Sequence, residues 1–383
     1  MDLSANFLWP ALGLAFLLGI LLSRLLYSRF GRKKTQTVNK EYFKGLNFLL
    51  NEETDKAIEV FIKALEVDSD TVELHLALGG LFRRKGQVDR ATRIHQNLIA
   101  RPSLTEDQRM QAVHELACDY YKAGWLDRAE NLFLELKESE IYRPLAINGL
   151  CRIYEQEKEW QKAINVLRLH KRHLRSQVST QVSHYYCELA ELAVKEQNFL
   201  AAKNYLKQSK NENPSVGRSF LLIGELEYAE KKYTQARKTW KKLSLTHPKL
   251  AELIVARTIK SYLKSDPEGG LEDYLLSISV IPKDTSAFEL WQQSLVAVFG
   301  TQRAAEIILE KSFNDRLSAP LAEYIYTNVD QDFLNPSQKQ ILFKKMLWQE
   351  KENKVEYTCA VCGFDTKSMH WFCPNCGRWE SFE

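Results

Sequence analysis

Residues 55–65 read DKAIEVFIKAL, and the same pattern returns down the chain. DRATRIHQNL follows at 89–98, DRAENLFLEL at 127–136, QKAINVLRLH at 161–170, LAAKNYLKQS at 200–209 and TQARKTWKKL at 234–243. Two looser copies, EGGLEDYLL at 268–276 and QRAAEIILEK at 302–311, extend the series. Aligned on Ala57, Ala91, Ala129, Ala163, Ala202, Ala236, Gly270 and Ala304, the copies lie 34, 38, 34, 39, 34, 34 and 34 residues apart. Within each copy apolar residues recur three and four positions apart, the spacing of a one-sided helix. A unit of that length holds a pair of helices, and each pair buries its apolar face only against its neighbours.

Twelve residues before each anchor stands a small residue: Gly45, Gly79, Ala117, Cys151, Ala190 and Gly224. A small side chain there lets the two helices of a pair approach. Bulky side chains sit three residues before the anchor (Leu126, Trp160, Phe199, Tyr233) and four after it (Phe61, Phe133, Trp240). Pro214, Pro248 and Pro282 fall twelve after their anchors, where the second helix must stop. This arrangement resembles the tetratricopeptide (TPR) repeat over residues 38 to 316. Thr258 and Gln292 replace the small residue in the last two copies, and a ninth, divergent pair is expected in APLAEYIYTNV (319–329) and NPSQKQILFKKMLW (335–348). The fold class expected is all-α, a TPR superhelical solenoid over residues 38–352. In such an array the first helix of each pair lines a groove that holds protein segments. By position the groove candidates are Arg83, Arg84, His114, Tyr121, Asn148, Arg152 and Tyr228, and each reads equally as part of a solvated helix face.

The N-terminus is of another kind. Residues 3–23 carry no charge, and 21 helical residues at ~1.5 Å each span roughly 32 Å, the thickness of a hydrocarbon core. Asp2 precedes this run, whereas Arg24, Arg29, Arg32, Lys33 and Lys34 follow it. A cleavable signal has the opposite order, so an uncleaved single-pass transmembrane anchor is expected at 1–23, with a basic juxtamembrane linker at 24–37 and the remaining body on the cytoplasmic side. The net charge of +4 is concentrated in residues 1–40, and the rest of the chain sums close to zero. A near-neutral body has no general field for polyanions.

The C-terminus reads YTCAVCGFDTKSMHWFCPNCGRW at 357–379. Cys359, Cys362, Cys373 and Cys376 form two Cys-x-x-Cys knuckles, the donor set of one tetrathiolate-bound metal ion, iron or zinc. Four protein ligands leave no open position, so the ion is structural, and residues 353–383 form a metal module too short for a core of its own. Tyr357, Phe364, Trp371, Phe372, Trp379 and Phe382 are more aromatics than so small a module can bury, and are expected to dock it against the last repeat helices or a partner. Its net charge of −1 speaks against nucleic acid. Both knuckles resemble those of rubredoxin, which keeps a rubredoxin-type electron-transfer protein on a TPR scaffold as the alternative reading. Cys118, Cys151 and Cys187 stand alone on apolar helix faces and read as buried thiols of a reducing compartment. No nucleotide-binding, zinc-protease or nucleophile-elbow motif occurs, and LHKRHLR at 169–175, with His170 and His173, reads as a solvated basic face. Neither catalytic residues nor a small-molecule substrate are expected; the chain reads as a non-enzyme.

Anchor, TPR repeats and a rubredoxin-like four-cysteine tail, in this order, resemble the lipopolysaccharide assembly protein B family. The most specific stretches are YTCAVCGF (357–364), WFCPNCGRW (371–379) and YFKGLNFLLNEETDKAIEVF (42–61). The resemblance implies an inner-membrane adaptor that controls lipopolysaccharide synthesis. It implies as partners the membrane AAA protease FtsH, the lipid A deacetylase LpxC, whose degradation it promotes, and other lipopolysaccharide assembly proteins. The family's metal ligands fall on Cys359, Cys362, Cys373 and Cys376.

Overall fold

The computed structural model describes residues 43–347 and 357–382, with Ile20, apart from 49, 52, 68–70, 170–177, 267–268, 279–281, 283–284, 313–318 and 330–333. The expected anchor at 1–23 and linker at 24–37 therefore lie outside the described residues except for Ile20, as do His170 and His173. No helix among the described residues is long and apolar enough to cross a membrane.

The chain divides into two compact units at Glu157. In the first, helical residues 43–48 precede α1 (Thr54–Val67), α2 (Val72–Arg84), α3 (Val88–Ile99), α4 (Glu106–Ala123), α5 (Leu126–Leu136) and α6 (Arg143–Glu157). The second contains α7 (Trp160–Leu169), α8 (Val178–Lys195), α9 (Phe199–Glu212), α10 (Gly217–Ala229), α11 (Tyr233–Thr246), α12 (Ala251–Lys264), α13 (Gly270–Ser277), α14 (Thr285–Phe299), α15 (Thr301–Ser312), α16 (Ala319–Asn328) and α17 (Pro336–Leu347). A two-stranded hairpin, β1 (Tyr357–Thr358) with β2 (Asp365–Thr366), opens the C-terminal module.

Local chemistry sets where the helices begin and end. At α4, Thr105 Oγ1 accepts from the Gln108 amide while the Gln108 side chain accepts from the Thr105 amide, a reciprocal cap for two orphan donors. Gly124 ends the same helix at φ +79°, where a Cβ would be strained. Asp266 caps α13 by accepting from the amides of Gly270 and Leu271.

The small positions have a sharper reason than helix approach alone. A Cβ on Gly45 would overlap the Phe61 ring, one on Gly79 the His95 ring, and one on Gly224 the Trp240 indole. In each case the ring stands four residues after the anchor of the same repeat, so the missing side chain makes its socket. Phe133, whose own repeat has Ala117 at the small position, also fills the space over Gly149 on the following helix. The anchor alanines at 57, 91, 129, 163, 202, 236 and 304 are all fully buried. At 258 the threonine is buried as a small residue would be. The last pairs share one core around Trp291, to which Ala322, Ile325 and Leu342 of α16 and α17 contribute. Those two helices occupy the stretches expected for a ninth pair.

Candidate metal centre and its dock

The hairpin register pairs Tyr357 with Thr366 and Thr358 with Asp365, which puts Cys359 at the foot of β1. A bridge between Cys359 and Phe382 and another between Phe372 and Trp379 fold the second knuckle against the first. The knuckles are near copies. The Gly363 amide donates to the Cys359 carbonyl at 2.8 Å, and the Gly377 amide to the Cys373 carbonyl at 2.9 Å. Both glycines lie in the left-handed region, at φ +69° and +68°.

All four Sγ atoms lie within 4.8 Å of one another. Cys359 to Cys376 and Cys362 to Cys373 are each 3.7 Å. A tetrahedron with metal–sulfur bonds of about 2.3 Å has sulfurs about 3.8 Å apart. The donor set therefore fits one ion, and the cysteines are free rather than paired. Cys359 is lowered to about 6, chiefly by the Ser381 hydroxyl 3.3 Å from its sulfur and then by the amides of Val361 and Cys362. Cys376 is raised to about 12 by burial and by the other sulfurs. Four thiolates repel at this spacing, and a bound cation is what lets all four ionise. The Asn375 amide reaches Cys362 Sγ at 3.5 Å. Cys359 and Cys373 are buried, whereas Cys362 is exposed.

The aromatic surplus divides in two. Phe364 and Phe382, with Tyr357 and Met369, make the module's own core around the buried cysteines. Trp371 and Trp379 leave the module and meet helices of the second unit. The Trp379 indole stacks on the His184 ring, with centroids 4.8 Å apart and planes 18° apart, and meets Tyr185 and Trp160 edge-on at 5.8 and 6.4 Å. Trp371 lies 6.3 Å from His184 and joins the cluster built on Phe220, Leu221 and Trp240. The expectation that the module docks on the last repeat helices is thus corrected: among the described residues its indoles meet Trp160, α8, α10 and the cluster around Trp240. These helices present His184 and Arg218 among apolar neighbours, and the two indoles cover both side chains.

Arg218 is 3% exposed and ion-paired to Glu188 at 2.8 Å and Glu191 at 2.7 Å. Its guanidinium also lies 5.8 Å from the Trp371 ring and 5.9 Å from Trp379, the cation–π geometry that a desolvated arginine favours. His184 is fully buried, and its Nε2 stands 3.3 Å from a Glu380 carboxylate oxygen. Burial pushes its pKa down, against the pull of Glu380. The functional residues missed by sequence reasoning are these: His184, Arg218, Tyr185 and the docking role of Trp160. The available signal was Arg218 itself, a cation inside VGRSFLLIG, where an apolar face should run.

The groove candidates separate. Arg83 donates to Glu115 Oε2 at 2.5 Å and to Asp119 Oδ1 at 2.8 Å. Asp119, fully buried, also meets His95 Nδ1 at 2.6 Å, while His95 Nε2 has no hydrogen-bond partner among the described residues. His114 joins the edge of this network, 3.8 Å from Cys118 Sγ and 3.4 Å from Glu115; the two raise its pKa to about 9. Burial opposes ionisation of Glu115, but His114 and Arg83 outweigh it and bring the carboxyl to about 2. Tyr121, partly buried, feels Arg152 and Glu155. Arg84, Asn148 and Arg152 are exposed. Tyr228 belongs to the second unit and packs on Tyr233 at 5.2 Å and Trp240 at 6.2 Å. Of the three lone thiols, Cys151 and Cys187 are buried as expected, and Cys118 is half-buried beside His114.

Paired helices with a small-residue socket, closed by a four-thiolate knuckle module, define a tetratricopeptide-repeat protein with a rubredoxin-type metal-binding domain. Family models agree, matching residues 357–383 to the rubredoxin metal binding domain and residues 44–101 to the tetratricopeptide repeat. Along most of its length the chain is similar to lipopolysaccharide assembly protein B of Escherichia coli K12, 28% identical over 351 residues that cover 90% of this chain and 89% of that one. The protein of the same name from Haemophilus influenzae is 28% identical over 356 residues, with the same coverage. The family resemblance read from the sequence holds across nine-tenths of the chain. Among solved structures, the C-terminal part of a TPR protein from Cytophaga hutchinsonii overlaps at a TM-score of 0.42 and 12% identity, covering 70% of this chain and 98% of that one, too loosely to carry weight.

Proposed function

We propose that this chain is a membrane-anchored, cytoplasm-facing adaptor of lipopolysaccharide synthesis in the bacterial inner membrane. It has no chemistry of its own and acts by holding other proteins. The observation that carries this reading is the similarity over 90% of the chain to proteins named for lipopolysaccharide assembly. In this reading residues 1–23 are the anchor, 24–37 the linker, 38–352 the binding scaffold and 353–383 the metal module. The client contacts are Arg83, Arg84, His114, Tyr121, Asn148 and Arg152 in the first unit and, separately, Tyr228 in the second. The partners are the AAA protease FtsH and the deacetylase LpxC, whose degradation the adaptor promotes by raising its local concentration beside the protease. Cys359, Cys362, Cys373 and Cys376 hold iron or zinc, which would supply no reaction step and only tie the two knuckles together.

The test is a reconstitution of purified FtsH and LpxC in lipid vesicles, with and without the full chain. Faster loss of LpxC in its presence is expected, and an unchanged rate defeats the reading. A second reading, rubredoxin-type electron transfer, is favoured by the exposure of Cys362 beside Val361, itself 59% exposed, because an exposed thiolate edge is where electrons enter such a centre. It requires a red, iron-loaded protein with a reversible one-electron couple; a colourless, redox-silent, zinc-loaded sample removes it.

A further inference from the structure

Residues 199–250 hold eleven lysines and arginines against four glutamates. The near-neutral sum of the body conceals one strongly basic stretch. All four acids are already engaged. Glu212 takes Arg168, Glu225 takes Arg257, Glu227 accepts from Thr239, and Glu230 takes both Lys203 and Lys232. Arg218 and Arg237 are committed as well, the first to Glu188 and Glu191, the second to the Ser265 carbonyl and the Tyr262 ring. Apart from Lys231, in the turn before α11, and Lys249, beyond its end, the remaining cations are Lys207, Lys210, Lys238, Lys241 and Lys242, with no ion pair among the described residues.

These five occupy two helices of successive repeats. Lys207 and Lys210 fall on one stripe of α9, and Lys238, Lys241 and Lys242 on one stripe of α11. The stripes converge, because Lys210 Nζ is 4.9 Å and Lys242 Nζ 5.4 Å from the centre of the same Phe220 ring. Two ammonium groups gathered on one ring without a counter-charge repel each other, and an anionic surface relieves that repulsion. Each helix also carries an exposed leucine, Leu200 and Leu245, both 73% exposed. Rows of lysine interleaved with exposed leucine are how an interfacial helix meets a headgroup layer. A single acidic peptide would need a groove with flanking donors in register, and two parallel rows of lysine on outward helix faces offer a sheet of charge instead.

We propose that the outward face of α9 and α11 rests on an anionic lipid surface. The proposal builds on the membrane-anchored reading, since a tether keeps this face within reach of the bilayer. The full chain is bound to vesicles of phosphatidylcholine alone or with about 30 mol % phosphatidylglycerol, and lysine acylation by a water-soluble ester is followed residue by residue. Acylation of Lys207, Lys238, Lys241 and Lys242 is expected to slow about fivefold or more on the anionic vesicles and to recover in about 0.5 M salt. Lys195 and Lys264, exposed on other helices, should not change. In the triple variant Lys238→Glu, Lys241→Glu, Lys242→Glu, with its helicity checked by circular dichroism, protection at Lys207 should disappear. Equal rates on both vesicles mark a merely solvated face and overturn the proposal. Protection stronger with polyglutamate than with anionic vesicles assigns the face to acidic polypeptide and overturns it too. Flotation on neutral vesicles reports the anchor separately, so loss of either reading leaves the other measurable.

Discussion

At the scale of single residues the chemistry gathers at two places, the four thiols and the buried charges of α4. Cys359→Ser or Cys373→Ser removes a buried ligand from a site whose ion contributes on the order of 10 kcal/mol to such a fold. Both variants are expected to lose the metal and to open residues 357–382 to protease, while far-UV helicity is retained; full metal stoichiometry in either would refute the ligand assignment. The pair His114 and Glu115 gives the first unit a pH signature. His114 is raised from 6.5 to about 9, so its stabilisation is complete below pH 6.5 and is lost as pH rises through 9. Glu115 is lowered from 4.5 to about 2, so its share is present above pH 4.5 and is lost as pH falls toward 2. Urea midpoints measured from pH 6 to 10 should decline in the native chain, and His114→Ala should flatten that decline. A parallel decline in the variant would place the titration elsewhere.

At the scale of helices the repeat is a socket and a ring. Gly224 receives the Trp240 indole, whose Nε1 donates to the Leu221 carbonyl at 3.3 Å. Gly224→Val is expected to destabilise the second unit by about 2–3 kcal/mol, since valine must displace a fully buried indole. Melting temperature is the readout, and a change under one degree would show that the helices part freely. The periodic elements were the most legible part of the chain, because a residue's burial inside a repeat depends on neighbours at fixed spacing. Even so, sequence spacing left the partner of each ring open. Phe133 fills the space over Gly149 in the next helix, and no count along the chain distinguishes that from the socket of its own repeat.

At the scale of the whole molecule, the dock ties the C-terminal module to α8 and α10. Trp379→Ala removes the stack on His184 and the edge contacts to Tyr185 and Trp160, which is expected to weaken the dock by about 2–3 kcal/mol with the metal still bound. Limited proteolysis with metal analysis checks this: release of a metal-loaded fragment supports the dock, and unchanged resistance contradicts it. By itself the amino-acid sequence determined the paired helices, the anchor alanines, the two Cys-x-x-Cys pairs and the family resemblance, because periodicity and cysteine spacing are local along the chain. Only the tertiary structure decided where the module sits, that Arg218 and His184 lie beneath its two indoles, and that lysines from two separate repeats crowd one ring. Those facts join residues from 10 to 219 positions apart, and a distance through space between such residues is set by how helices stack, which no spacing in one dimension encodes.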